Sequence, residues 1–197
     1  MQILKLLTRL RQLCLEPRLV YDNIDQPSSK LKACMELIKT MQENKQKVLL
    51  FSSFTSVLDL IAEECQKAGI TYYMLTGSTN KEDRRELVSR FQKDDTTLFL
   101  ISLKAGGTGL NLTSAEVVIH FDPWWNVSAQ NQATDRAYRI GQKNNVQVFN
   151  LVMKDSVEEK IIELQKRKKE LADMFVENNS GGLSQMSKED ILSLFTM

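Results

Sequence analysis

Residues 102–113 hold the densest group of residues that could bind an anion, and the segment reads SLKAGGTGLNLT. Its three glycines are Gly106, Gly107 and Gly109. Glycines let backbone N–H groups approach an anion without obstruction by a Cβ atom, and Lys104 and Thr108 add donors. We therefore expect this segment to bind phosphate, from a nucleotide or from a nucleic-acid backbone. The alternative is a tight turn between a strand and a helix that binds nothing.

A second candidate is the segment 130–142, which reads QNQATDRAYRIGQ. If it is helical, Gln132, Arg136 and Arg139 share one face through i,i+4 and i,i+3 spacing, and Asp135 could brace Arg139. Two arginines on one face suit bidentate capture of a polyphosphate. The alternative is a solvated helix face with ordinary surface ion pairs.

Both tryptophans of the chain lie in the segment DPWWN at 122–126. Neighbouring residues on a loop cannot easily both face one core. We therefore expect either Trp124 or Trp125 to face a partner or nucleic acid, the alternative being a buried pair.

The sequence lacks the motifs of several common sites. No GxxxxGK[ST] segment occurs, so we expect no P-loop that would let this chain alone hold and cleave a nucleoside triphosphate. The three cysteines form no CxxC pair, which argues against a disulfide framework and a zinc site, and we predict no metal site. The glycines do not follow GxGxxG, although Asp122 could mimic the ribose-binding carboxylate of a dinucleotide fold.

Five short apolar runs predict strands that are covered on both faces, as in a parallel sheet. They are residues 48–52, 71–75, 98–102, 117–121 and 146–152. Amphipathic segments separate the early runs, so we expect an open α/β sheet with right-handed crossovers. Ligands of such sheets bind at the carboxyl ends of the strands, and the chemically promising segments follow the third and fourth runs.

Apolar residues at helical spacing predict helices at 3–15, 29–43, 56–68, 81–92, 157–176 and 188–195. Pro17 would end the first helix, Ser28 or Ser29 would cap the second, and Gly69 would end the third. The polar residues 21–29 are typical of a linker, and 178–182 of a loop.

The 197 residues include 26 Lys and Arg against 25 Asp and Glu, a net charge of +1. This balance excludes a chain that binds nucleic acid by being basic throughout, but it allows a basic stripe on one face. No apolar run approaches the ~18 residues of a membrane span, and we expect neither a membrane span nor a signal peptide. We expect no membrane partner and a cytoplasmic, nucleoid-associated location in a bacterium, or a nuclear one in a eukaryote.

Taken together, SLKAGGTGLNLTSA, DPWWN and QATDRAYRIGQ resemble the later helicase motifs of SWI/SNF-type ATPases, the double-stranded-DNA translocases of helicase superfamily two. Other segments resemble further family blocks in the right order: LTRLRQLCLEPRL, SSKLKACMELI, KVLLFSSFTSVLDLI and LTGSTNKEDRRELVSRFQ. The resemblance covers nearly the whole chain, and GGLSQMSKEDILSLF is similar to the tails of bacterial members.

The resemblance implies a RecA-like parallel sheet with helices on both faces at 46–155, the second of the two lobes of a motor. Residues 1–45 would form flanking helices and a linker, and 156–197 a brace helix and tail. The first lobe, with the Walker lysine and the acidic Mg²⁺-binding motif, would belong to a longer polypeptide. The chain alone would then be inactive.

The resemblance also assigns roles at the nucleotide. Arg136 and Arg139 match the arginines that reach across the cleft to the phosphates of ATP, and Gln132 matches a glutamine that shapes this edge of the site. Three residues match the motif that couples the nucleotide cleft to the DNA: Gly107, Gly109 and Asn111.

A further set matches positions where the family grips the phosphate backbone of DNA: Ser52, Thr76, Gly77, Ser102 and Lys104. Trp125 matches a position near that track, and Arg84 and Arg85 would add electrostatic contacts. The chain departs from the family at Val127 and Gln130, where members often have a proline that presets the helix N-terminus and a glutamate. Tyr138 replaces a histidine that is often found between the paired arginines.

The leading hypothesis is therefore half of an ATP-driven motor. It would use ATP with Mg²⁺, bound mainly by the first lobe, and its partners would be double-stranded DNA, that lobe and a DNA-bound target protein. A second hypothesis is a stand-alone module that binds nucleic acid or protein. A third is a dinucleotide or methyl-donor enzyme that uses the glycine loop.

Overall fold

The computed structural model describes residues 2–106, 110–138 and 145–177. Within these ranges five parallel strands form one sheet in the order β2-β3-β1-β4-β5. The strands are β1 Val48–Ser52, β2 Tyr72–Leu75, β3 Leu98–Ser102, β4 Val117–His120 and β5 Gln147–Asn150. The predicted α/β class with a parallel sheet is thus confirmed, and all five strands lie where the apolar runs placed them.

Seven α-helices accompany the strands in the described residues, and side chains cap the N-termini of three of them. The helices are α1 Gln2–Leu15, α2 Ser29–Glu43, α3 Thr55–Lys67, α4 Lys81–Lys93, α5 Leu103–Gly106, α6 Val127–Thr134 and α7 Val157–Glu177, with a short 3-10 helix at Pro17–Leu19. The Ser28 hydroxyl caps α2 by accepting from the backbone N–H of Leu31, as expected. The Asn80 side chain caps α4 in the same way.

Helices cover both faces of the sheet. Alternate strand residues such as Leu50 and Leu100 belong to one core with α2 and α3, and their neighbours such as Leu49 and Phe99 belong to a second core with Phe91 of α4. This alternation follows from the twofold period of a strand. The cysteines behave as packing residues where they are buried, since Cys34 and Cys65 are fully inaccessible.

The prediction that every strand is covered on both faces is wrong for β5. Its residues are mostly exposed, and Val148 is 43% accessible. β5 is the last strand of the sheet and pairs with β4 alone. An edge strand has one neighbour and less cover, which the apolar run 146–152 does not reveal.

A buried ion pair connects the start of α7 to α2. Lys30 Nζ lies 2.6 and 2.7 Å from the two carboxylate oxygens of Glu158, and both residues are almost inaccessible. Glu158 also accepts from the backbone N–H of Met153 at 2.7 Å. Burial lowers the pKa of Lys30, and the adjacent Glu158 carboxylate opposes that shift. The first turn of α7 is therefore fixed to the body that carries the sheet.

The chain divides into two compact units, residues 1–161 and 162–197. The domain boundaries expected at residues 45 and 155 stay a prediction. Leu31 and Ile38 of α2, which precede the first of these boundaries, share a core with β1, which follows it. No helix in the described ranges is long and apolar enough to cross a membrane. The loop and helix predicted at 178–182 and 188–195 lie outside the described residues.

Candidate functional site

The strand register brings three predicted positions to one edge of the sheet. Ser52 at the end of β1 lies opposite Ser102 at the end of β3. Leu75 of β2 lies opposite Ile101, so the next residue, Thr76, comes level with Ser102. β4 ends alongside β1, and the loop 122–126 leaves from the same edge. The carboxyl edge, meaning the ends of β2, β3, β1 and β4 with their following loops, is thus the place that sequence reasoning indicated.

The predicted DNA-contacting residues at this edge differ in accessibility. Gly77, Lys104 and Trp125 are exposed, and Thr76 is half-buried. Ser52 and Ser102 are only 1% and 4% accessible, so their hydroxyl groups do not face solvent. These two serines lie at the predicted edge, but their burial does not favour direct contact with a phosphate in this conformation.

Asp122 is the centre of a buried polar network at the carboxyl edge. Its Oδ1 accepts from the Ser52 hydroxyl at 2.8 Å and from the Ser53 N–H at 3.0 Å. Its Oδ2 accepts from Arg11 Nη2 at 2.8 Å and from the Ser53 hydroxyl. With both oxygens occupied and 5% accessibility, Asp122 is unsuited to the ribose-binding role that a dinucleotide site would need.

The two tryptophans face different surroundings, as expected. Trp124 is half-buried and packs against the core that contains Phe99, whereas Trp125 is 37% accessible. The Arg11 guanidinium lies 5.8 Å from the ring of Trp124 and 6.0 Å from that of Trp125. Trp125 is therefore available to a partner, while Trp124 holds the loop on the body of the protein.

The loop is anchored even though it lacks the family proline at position 127. The Asn126 side chain caps α6 by accepting from the Ala129 N–H at 3.3 Å. Gln130 accepts from the Trp124 N–H at 3.2 Å and donates to Asn150 at 2.9 Å. Side-chain hydrogen bonds thus take over the restraint that a proline would have supplied.

The predicted helix through 130–140 extends only to Thr134. Gln132 is exposed on α6, but Arg136 follows the helix in a turn and is 3% accessible. The Arg136 carbonyl accepts from the Leu112 N–H at 3.0 Å, which joins this turn to the segment after the glycine loop. Arg136 therefore does not face solvent as its proposed phosphate contact would require.

Three of the predicted residues, Gly107, Gly109 and Arg139, lie outside the described residues. Asn111 is exposed and lines a groove of about 780 Å³ beside α4. Arg84 and Arg85 line the same groove. Lys81, also in its wall, was not predicted, although it directly precedes the acidic and basic run EDRR.

His120, the single histidine of the chain, is buried at the end of β4. Its Nε2 lies 2.9 Å from the Thr134 hydroxyl, which itself donates to the Gln130 carbonyl at 3.3 Å. This arrangement assigns the proton to Nε2. Burial lowers the pKa of His120 to about 4, so the ring is neutral near pH 7.

Sequence reasoning missed Arg11 and Ser53 as members of the edge. A signal for Arg11 was present, because it lies four residues after Leu7 and four before the buried Leu15, on the inward face of α1. Within the described ranges no group of three or more His, Cys, Asp or Glu side chains is placed to hold a metal ion.

The comparisons with known proteins agree with this fold. The chain matches the helicase conserved C-terminal domain over residues 29–141. It is 39% identical to an ATP-dependent helicase of Mycoplasma pneumoniae, over 98% of this chain and 19% of that protein. It is 34% identical to the mouse SWI/SNF-related matrix-associated actin-dependent regulator of chromatin subfamily A member 1, over 98% of this chain and 20% of that protein.

Among solved structures, the C-terminal part of the Fun30 ATPase domain is similar, with a TM-score of 0.67 and 42% identity. That match covers 70% of this chain and 45% of the solved one. The chain spans about a fifth of the length of the curated relatives. The RecA-like α/β fold is thus confirmed, and the chain belongs to the helicase conserved C-terminal domain family, in its SWI/SNF-type branch.

Proposed function

We propose that the chain is the second motor lobe of an ATP-dependent translocase that moves along double-stranded DNA and remodels its complexes. The observation that carries the proposal is the register of the sheet, which brings the ends of β2, β3, β1 and β4 to one edge. At that edge, the half-buried Thr76 and the exposed Gly77, Lys104 and Trp125 suit a nucleic-acid backbone. The family membership supports the same conclusion.

The DNA contacts would be directed mainly at phosphates. Lys104 and Arg85 are exposed cations, and Gly77 leaves backbone groups accessible. A cation that neutralises a phosphate releases condensed counterions, so affinity falls as salt rises. Contacts to the backbone carry no direct sequence information, and binding would tolerate any sequence.

At the nucleotide the chain would contribute groups to a site that it does not complete. ATP with Mg²⁺ would be bound mainly by the first lobe of the longer polypeptide, and it supplies the phosphoanhydride bond that is hydrolysed. Arg139 would add positive charge from this side, and Gln132, which is exposed on α6, would help to shape the same edge of the nucleotide site. Arg136 is buried, so it would reach a phosphate only after its turn rearranges. Of the two arginines, we therefore propose Arg139 as the main contact to the phosphates.

The DNA-binding half of the proposal is tested with the 197-residue chain and a short mixed-sequence duplex. We expect Lys104→Gln to weaken binding and to make the slope of log affinity against log salt shallower by about 1. Fluorescence anisotropy of labelled duplex over a salt series measures both quantities. Lys39→Gln, an exposed lysine on α2, is the matched control for loss of one charge.

Two results would contradict this half of the proposal. One is a wild-type chain whose binding does not respond to salt. The other is a Lys104→Gln variant that binds no more weakly than Lys39→Gln.

A further inference from the structure

The carboxyl edge contains a buried charge pair that the proposed function does not use. Arg11 and Asp122 are 8% and 5% accessible, and Arg11 Nη2 lies 2.8 Å from Asp122 Oδ2. Taking two charges out of water costs several kcal/mol per ion, which only good geometry and further hydrogen bonds offset. Because this desolvation is costly and the pair lies near the proposed DNA contacts, we asked what the pair does there.

The geometry around the Arg11 guanidinium joins three separate segments. From α1 it donates to the Ser53 hydroxyl at 2.9 Å, in the turn after β1. It also donates to the Pro123 carbonyl at 3.2 Å, in the loop after β4. Asp122 completes the connection, since it accepts from both Arg11 and Ser53. One side chain therefore fixes the turn after β1 against the loop after β4.

Aromatic rings surround the same guanidinium. Its central carbon lies 5.0 Å from the ring centre of Phe54, 5.8 Å from that of Trp124 and 6.0 Å from that of Trp125. A guanidinium attracts the face of an aromatic ring, most strongly that of tryptophan. Arg11 thus contacts the exposed Trp125 as well as the buried part of its loop.

We propose that Arg11 is a positioning residue that holds the Trp124–Trp125 loop and the Ser53 turn in one arrangement, so that Trp125 is presented at the carboxyl edge. The effect on DNA binding rests on the proposed function, whereas the positioning itself does not. Neutralising Arg11 leaves Asp122 as a buried carboxylate that has lost its cation. The loop would then shift to hydrate that carboxylate, and the tryptophans would become more accessible.

Tryptophan fluorescence tests the positioning directly, because the chain has two tryptophans and both contact Arg11. For the 197-residue Arg11→Gln variant without DNA, we expect emission at longer wavelength and stronger quenching by acrylamide. Arg11→Lys keeps the charge beside Asp122 and is expected to restore most of the wild-type signal. Arg9→Gln removes one exposed charge from the same helix and should leave the signal unchanged.

A variant that loses only stability would unfold at lower temperature but show wild-type quenching while folded, and that result would overturn the proposal. If Arg11→Gln does not fold, Ser53→Ala takes its place, since it removes one link of the network and keeps the ion pair. Ser53→Ala is then expected to increase acrylamide quenching, and wild-type quenching with no emission shift in this variant would refute the proposal that the Arg11 network holds the loop and the turn together.

Duplex binding separates this inference from the proposed function. Folded Arg11→Gln is expected to bind duplex about threefold more weakly than Arg9→Gln, in keeping with loss of a cation–π contact that orients Trp125. If the wild-type chain binds no duplex, the proposed function fails, and fluorescence without DNA still decides the positioning role. Altered fluorescence with duplex affinity equal to that of Arg9→Gln would show that Arg11 positions the loop but that Trp125 takes no part in DNA binding.

Discussion

His120 and Asp122 lie two residues apart at the end of β4. Both are buried, but their side chains differ in how many hydrogen bonds they make. Each of the two carboxylate oxygens of Asp122 accepts two hydrogen bonds. The His120 ring has one hydrogen bond, to Thr134, and its Nδ1 has no partner among the described residues. An imidazolium in such surroundings would be poorly solvated, which is why burial lowers the pKa of His120.

Stability should therefore depend on pH through His120. The pKa of this ring is about 4 in the folded chain and 6.5 when unfolded, so below pH 6.5 the unfolded state binds the extra proton. The stabilisation is complete above about pH 6.5 and is lost as the pH falls towards 4. The loss amounts to about 3 kcal/mol in the free energy of unfolding.

His120→Gln removes this proton-linked contribution but leaves the carboxylates, which titrate in both proteins. The difference in unfolding free energy between wild type and His120→Gln should shrink by that amount between pH 6.5 and 4, as measured by urea denaturation. A difference that stays constant over this interval would show that His120 titrates normally in the folded chain.

At the scale of single elements, the ends of helices decide where the loops of the carboxyl edge begin. α3 ends before Gly69, whose φ of 67° lies in the left-handed region that suits glycine. The chain then enters β2, which leads to Thr76 and Gly77 at the edge. α2 and α7 are joined by the Lys30–Glu158 pair. Correct helix ends are thus part of what positions the proposed site.

Gly69→Ala should destabilise the chain by about 1 to 2 kcal/mol, because a Cβ atom is strained in the left-handed region. An added Cβ at Gly69 meets no atom within 4 Å, so backbone strain alone accounts for the cost. Gly77→Ala is the matched control, since its Cβ also meets open space and its φ is not left-handed. Chemical denaturation followed by circular dichroism compares the two, and equal stabilities would contradict the strain.

Local patterns predicted these elements well, and long-range contacts explain what they missed. Caps such as Ser28 and breakers such as Gly69 act within one turn, so the sequence indicated the helix ends to within about two residues. Strand order depends on pairing between distant segments, and the exposure of β5 was therefore missed. The proposed role of Arg11 depends on Asp122, 111 residues away in the sequence. The end of α6 at Thr134 was missed because the residues after Thr134 are also compatible with a helix.

For the molecule as a whole, the chain spans about a fifth of its curated relatives, and its sequence has no P-loop. A residue that reaches a triphosphate from a separate body can contribute about 10³–10⁵ to the rate of hydrolysis. Placing that residue on a second lobe makes hydrolysis depend on closure of the two lobes. Closure in turn would be coupled to DNA, because the loops that we propose to contact DNA and the α6 segment belong to the same unit, 1–161.

Assays of ATP hydrolysis test whether this chain supplies only part of the hydrolytic site. The 197-residue chain should show no hydrolysis with or without duplex DNA. In the longer polypeptide, Arg139→Ala should lower kcat by a factor of about 10³ or more and leave duplex affinity nearly unchanged, since its effect is on the phosphates and not on the DNA. Arg90→Ala is the control, an exposed arginine that lies 3.6 Å from Glu86 on α4 and should retain both activities. Turnover by the isolated chain, or near-normal turnover by Arg139→Ala, would mean that the hydrolytic machinery is organised differently.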